Sequence, residues 1–252
     1  MKDRLDRVLV ARGLAENRTQ AQALILAGKV FSGVRRLDKA GLAVSPSLAL
    51  EVRGRPHPWV SRGGLKLAHG LEAFSVPVRG RTCLDVGAST GGFTDVLLAK
   101  GAVGVWAIDV GRGQLAWKLR KDARVRVLER TNARHLTAAQ VPDLIDLVVC
   151  DVSFISLRTV LPAPLALTQP GAHVVALVKP QFEAGRERVG KGGVVRDPAV
   201  HQEVCESIRA WLEALDGWSV LGLEESPVCG PQGNIEYLIA AVRACPSAQS
   251  SA

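Results

Sequence analysis

"LDVGASTGGFTD", Leu84 to Asp95, is the stretch on which the fold turns. "RTCLDVG" (81–87) reads as a short apolar strand that stops at a glycine. "GGFTDVLLAKG" (91–101) reads as a helix closed by Gly101. The small residues between them let the backbone come close to a ligand, and the helix start offers free N–H groups. The spacing, G-x-x-x-G-G over Gly87, Gly91 and Gly92, is not the G-x-G-x-x-G of a dinucleotide loop. No lysine follows the last glycine, so it is not a Walker A loop either. Outward from this turn the same alternation continues. "AVGVWAIDV" (102–110), "RVRVLE" (124–129), "IDLVVCDVSF" (145–154) and "AHVVALVKP" (172–180) read as strands. "DPAVHQEVCESIRAWLEAL" (197–215) is a long amphipathic helix with Asp197 as its cap and Pro198 in its first turn. "WSVLGLEES" (218–226) and "NIEYLIAAVRA" (234–244) close the chain as a strand pair. Buried strands alternating with helices predict an α/β fold with a doubly wound parallel sheet.

The acids around the loop suggest its ligand. Asp85 precedes the turn, where a carboxylate suits a cation better than a pyrophosphate. Asp109 ends the next strand, where an acid accepts hydrogen bonds from ribose hydroxyls. An acid, a glycine-rich loop and a second acid read as a site for S-adenosylmethionine: adenosine, a sulfonium and an amino acid. The expected binding residues are Asp85, Gly87, Ala88, Ser89, Thr90, Gly91, Gly92, Phe93 and Asp109, with Asn132 toward the adenine.

Polar residues at the carboxyl ends of strands supply the chemistry. Asp151 ends the fourth strand, Lys179 ends the fifth, and Glu236 is read within the last. Lys66 lies in the helix "SRGGLKLAHGLEAF" (61–74), off the side on which Leu67, Leu71 and Phe74 face the sheet. Lysines and carboxylates gathered at one rim suit a hydroxyl nucleophile. A lysine either accepts the hydroxyl proton or steadies the developing alkoxide, and both roles stay open. In-line attack on a sulfonium methyl needs no metal.

The first quarter is the basic part of the chain. The 252 residues carry a net charge of +8, and residues 1–60 hold eleven Lys/Arg against five Asp/Glu. Such asymmetry points to a nucleic-acid-binding module. "RLDRVLVARGL" and "NRTQAQALILAGKVFSGV" read as two helices followed by short strands, with Asn17 or Thr19 as cap. This segment, roughly 4–52, resembles the S4 RNA-binding domain. The resemblance implies structured RNA, ribosomal in kind, held through phosphates, with Arg4, Arg7, Arg12, Arg18 and Lys29 as the surface. "RGRPHPWVSRGG" (53–64) is a linker in which Trp59 anchors the joint, and Arg62 joins the RNA set. "EAGRERVGKGGVVRDP" (183–198) reads as a mobile basic loop over the site, with Arg186, Arg188 and Lys191 on RNA phosphates.

Residues 62–243, with "SRGGLKL", "LDVGASTGGFTD", "CDVSFISL", "LVKPQFE" and "GNIEYL", resemble an FtsJ-like methyltransferase domain. Joined to an S4 domain, this is the pattern of the TlyA family of ribosomal RNA 2′-O-methyltransferases, also called haemolysins. The resemblance implies a Rossmann-like S-adenosylmethionine-dependent domain and a tetrad of Lys66, Asp151, Lys179 and Glu236. It also implies cytidine 2′-O-methylation in 16S RNA, 23S RNA or both. The family's linker carries an arginine before a small residue and Trp-Val, whereas this one reads His57-Pro58-Trp59-Val60. The domain expectation is 1–56 S4-like, 57–64 linker, 65–245 methyltransferase and 246–252 disordered tail. The five cysteines lack metal or C-x-x-C spacing, and no signal peptide or spanning run is present, so a cytoplasmic protein with reduced thiols and no membrane partner is expected. The competing readings are a non-catalytic ribosome-assembly protein and a membrane-active haemolysin.

Overall fold

The computed structural model describes residues 2–15, 17–53 and 57–245. The expected tail, 246–252, and the junction at 54–56 lie outside the described residues.

The seven strands of the large sheet are β1 (Thr82–Val86), β2 (Gly104–Ile108), β3 (Val125–Leu128), β4 (Ile145–Cys150), β5 (Thr168–Val178), β6 (Trp218–Glu225) and β7 (Tyr237–Arg243). Their order across the sheet is β3-β2-β1-β4-β5-β7-β6. The first five pair in parallel, and β7 runs antiparallel to both β5 and β6. From β1 the chain winds outward through β2 and β3, then returns to place β4 on the other side of β1. That reversal leaves a crevice beyond the carboxyl ends of β1 and β4, where open α/β sheets take their ligands.

Period-two alternation gives the sheet two apolar faces. Leu84, Val86, Val148, Val174 and Ile239 pack one core, while Cys83, Leu147, Val149, Val175 and Leu238 pack the other. The long helix Pro198–Glu213 covers the first face through Val200, Val204, Ile208 and Leu212. Its cap is as expected: the Asp197 carboxylate accepts from Ala199 N at 2.9 Å. Helix α3 (Gly63–Ala73) and helix α4 (Gly92–Ala99) cover the second face. Cys83, Cys150 and Cys205 are buried thiols, and burial pushes Cys83 up to about 12. All five cysteines are free.

Residues before 53 build their own small core. Helix α1 (Leu5–Ala11) and helix α2 (Arg18–Leu26) pack Leu5, Leu9, Ala21 and Ile25 against Val30, Val44 and Val52. Asn17, not Thr19, caps α2 by accepting from Gln20 N at 2.9 Å. Buried in this unit is Asp6, whose Oδ2 accepts from Arg4 and Arg18 at 3.0 and 3.1 Å and from Gln22 at 3.2 Å. These donors, Arg4 foremost, hold the carboxyl well below the usual range.

Candidate active site

The turn from β1 into α4 is the floor of the site. Gly87 has φ +85, and a Cβ there would stand 2.5 Å from the Asp151 carbonyl oxygen. Only glycine tolerates both the backbone and the approach. The chain then passes Ala88, Ser89 and Thr90 into the first turn of α4. Together with Gly63, Lys66, Asp151, Ser153, Lys179 and Gly230, these residues surround a cleft of about 300 Å3.

Both lysines face carboxylates here. Lys179, just past β5, lies 2.5 Å from Asp151 Oδ1, just past β4, and donates to Ser153 Oγ at 3.2 Å. Lys66, on α3, donates to Glu236 Oε2 at 2.6 Å. Lys66, Lys179 and Glu236 are buried, and Glu236 Oε1 has no hydrogen-bond partner among the described residues. Glu236 sits immediately before β7 rather than within the strand, which places its carboxylate at the sheet's rim. Lys66 was expected off the sheet-facing side, but it is buried one turn from Gly70, where a Cβ would meet Leu238 and Val175, and it reaches inward to Glu236. Burying two ion pairs costs several kcal/mol per charge unless the partners compensate, so their presence beside an open cleft makes these four side chains the candidates for chemistry.

The glycine loop is held from below and from the side. Asp109, past β2, accepts from Ser89 N at 2.8 Å and from Gly111 N at 2.6 Å. It lines a second, very small cavity with Ser89, Gln114 and Glu129, in which Ser89 Oγ donates to Gln114 Oε1 at 3.2 Å. Glu129, just past β3, accepts from Gly113 N at 2.7 Å and went unread in the sequence, although an acid following the third apolar run was there to be seen. Ser153 was also missed; its signal is its place two residues after Asp151. Asn132 is exposed, caps Ala133–His135 by accepting from Arg134 N, and lines neither cavity.

Asp85 differs most from its expected place. It is 0% exposed beneath α4, accepts from Thr94 Oγ1 at 2.6 Å, and its Oδ1 has no hydrogen-bond partner among the described residues. Its side chain lies on the same sheet face as Cys83, away from the cleft, so it supports the loop from behind rather than lining it. Burial, opposed by Thr94 and reinforced by Asp151, pushes its carboxyl up to about 7. The folded chain therefore holds this proton more tightly than the unfolded chain. The stabilisation is full in the ordinary carboxylate range and is lost as pH rises to about 7. Asp85→Asn removes the titration. Above pH 7 the variant is expected to resist urea better than the natural chain, by on the order of a few kcal/mol. The gap should close toward pH 4 in urea melts taken at both pH values.

The basic residues differ in their surroundings. Arg62 lines the cleft itself. Arg7, Lys29, Arg186 and Lys191 are exposed. Arg4 and Arg18 are committed to Asp6, and Arg12 donates to the Leu48 carbonyl. Arg188 makes two hydrogen bonds to Glu203, at 2.8 and 2.6 Å.

Residues 59–243 match the model of FtsJ-like methyltransferases, and residues 3–49 match the S4 domain. The chain belongs to the FtsJ-like methyltransferase family. In this FtsJ-like chain the two lysine–carboxylate pairs and the glycine loop all fall within the matched segment. A Mycobacterium tuberculosis protein named 16S/23S rRNA (cytidine-2′-O)-methyltransferase TlyA is 52% identical over 237 residues, covering 94% of this chain and 88% of that one. Hemolysin A of Brachyspira hyodysenteriae is 41% identical over 238 residues, covering 93% and 98%. Among solved structures, a Streptococcus thermophilus chain carrying a hemolysin name superposes with a TM-score of 0.75 at 44% identity, covering 96% and 89%.

The residues present fit S-adenosylmethionine. Gly63 and Gly92 bring the starts of α3 and α4 to the cleft, offering backbone N–H groups to an amino-acid carboxylate. Asp109 and Glu129 end successive strands beside the loop, where ribose hydroxyls would be met. Among the described residues no cluster could hold a metal ion, and no helix is long and apolar enough to cross a membrane.

Proposed function

We propose that this chain methylates the ribose 2′-hydroxyl of cytidine in ribosomal RNA, using S-adenosylmethionine. The single observation that carries the reading is the pairing of Lys179 with Asp151 and of Lys66 with Glu236 around one cleft walled by the glycine loop. The rRNA specificity rests on the activity for which the M. tuberculosis relative is named.

S-adenosylmethionine, when bound, supplies an electrophilic methyl on a sulfonium. The side chains do the rest. An ammonium carries three protons. For Lys179, Asp151 takes one and Ser153 takes another, leaving the third directed at an oxygen in the cleft. With Lys179 as an ammonium, that contact aligns the 2′-oxygen and stabilises its charge; to receive the 2′-proton instead, Lys179 must first give this third proton to Asp151 or to water and act as the neutral amine. Asp151 keeps Lys179 in place, and Glu236 does the same for Lys66. Opening the adenosine end requires the Ser89–Gln114 hydrogen bond to yield.

Phe154 marks where the base would go. It is 89% exposed, with φ +66, in the loop that carries Asp151 and Ser153. Its ring lies 5.0 Å from that of Phe182. An exposed aromatic held in a strained backbone beside catalytic groups suits stacking on a nucleobase. Phe154→Ala is expected to weaken RNA engagement by ~1–3 kcal/mol, seen as a raised KM for RNA with the KM for cofactor unchanged. An unchanged KM for RNA would remove Phe154 from the substrate path.

The deciding experiment is transfer of labelled methyl from the cofactor to ribosomal subunits, with mapping of the methylated riboses. Purified protein that leaks liposomes and transfers no methyl would overturn the reading.

A further inference from the structure

Glu236 is flanked by two residues that are tied to the same distant point. Two positions before it, Asn234 is 2% exposed, and its Oδ1 accepts from Val195 N at 3.2 Å. Its Nδ2 donates to the Gly193 carbonyl at 2.9 Å, and its own carbonyl accepts from Gly230 N at 2.8 Å. One position after Glu236, the Tyr237 hydroxyl lies 3.0 Å from His201 Nδ1, and His201 Nε2 lies 2.9 Å from the Val195 carbonyl. A carbonyl only accepts, so Nε2 carries the proton and Nδ1 accepts from tyrosine. The N–H of Val195 is thus spent on Asn234 directly, and its C=O on His201, which in turn holds Tyr237. Val195 itself is buried. Gly230 completes the seat: a Cβ there would stand 2.0 Å from Glu236 Oε1.

Val195 closes the basic loop that holds Arg186 and Lys191, both exposed, and a bridge between Gly190 and Val194 stiffens the turn before it. Resting on the 2′-O-methyltransferase reading above, we propose that His201 and Asn234 are positioning residues for Glu236. They act through Val195, so that the basic loop and the Lys66–Glu236 pair are set together. Neither side chain lines the cleft. Each fixes the segment from which the carboxylate holds Lys66. RNA drawn on to the loop then bears on the orientation of a catalytic pair that it need not touch.

The test uses the full chain with His201→Phe, His201→Gln and Asn234→Ala, and with Tyr237→Phe as a variant that removes one hydroxyl only. Misplacing a reacting group by about an ångström costs up to about 100-fold in rate. His201→Phe and Asn234→Ala are therefore expected to lower kcat by about 10- to 100-fold, with the KM for cofactor unchanged. His201→Gln keeps a donor and an acceptor and should restore most of the rate. Tyr237→Phe should fall between. Amide exchange in 230–237 of RNA-free protein should quicken in His201→Phe and Tyr237→Phe. RNA binding should slow exchange in both 185–196 and 230–237 of the natural chain, but only in 185–196 of His201→Phe. Natural kcat in folded His201→Phe and Asn234→Ala, or undiminished RNA protection of 230–237 in His201→Phe, overturns the proposal. A natural chain that transfers no methyl to RNA overturns the functional reading instead, while the exchange rates still report on the clip.

Discussion

Lys179→Ala is expected to abolish methyl transfer while RNA and cofactor still bind. The ammonium sits 2.5 Å from Asp151 and 3.2 Å from Ser153, and Lys179 lines the cleft. Alanine removes the group that meets the 2′-oxygen, a loss of about 100- to 10,000-fold for proton-transfer catalysis. Stability suffers less than in a wholly buried pair, because Asp151 keeps a side-chain exposure of 24% and can recover water. Single-turnover transfer of labelled methyl, with RNA retention on a filter, measures both halves. A rate above a tenth of the natural one would strip Lys179 of its role. Lys179→Arg then separates the two roles left open. Arginine keeps the charge but does not give up its proton near neutral pH. Substantial turnover in it means that Lys179 steadies the oxygen, and none means that it takes the proton.

Gly87→Ala is the second large effect. The residue has φ +85, which costs a Cβ-bearing residue about 1–2 kcal/mol. The new Cβ would also meet the Asp151 carbonyl oxygen at 2.5 Å and its carbonyl carbon at 3.0 Å. That obstacle is backbone, so relief must come from separating the ends of β1 and β4, which are the two sides of the crevice. Cofactor affinity is expected to fall at least ~100-fold, from a loop displaced by about an ångström. Calorimetric titration with S-adenosylmethionine is the measurement. Natural affinity in a folded variant would mean that the cofactor does not lie on this turn.

The parts of this molecule that were legible in the sequence are those written locally. A glycine-rich turn between an apolar strand and a helix is a local signal, and so is an acid or a lysine at the last residue of an apolar run. That is why the sheet, Asp109, Asp151 and Lys179 could be read directly. Facing and partnership were not legible, because they depend on elements far apart in the chain. Asp85 precedes the loop by two residues, yet the pleat turns it under α4 to Thr94. Arg4 and Arg18 are spaced like a cationic surface, but an acid between them in sequence, Asp6, is folded under both. Arg188 looked free in a glycine-rich loop until the long helix brought Glu203 alongside. The Val195 clip carried no sequence signal, since it is made by a main-chain N–H and C=O.

The Lys66–Glu236 bond spans 170 residues, whereas Asp6 finds Arg4, Arg18 and Gln22 within the first 22. Contacts close in sequence form early, and distant ones wait for loop closure. As a chain emerges from synthesis, the N-terminal unit can settle before β1 exists. The Lys66–Glu236 pair cannot form until the segment ahead of β7 has been made and has docked. A growing chain, or one broken off short of Glu236, is then a folded basic module without chemistry. The Lys66–Glu236 pair comes only with a chain made through the segment ahead of β7.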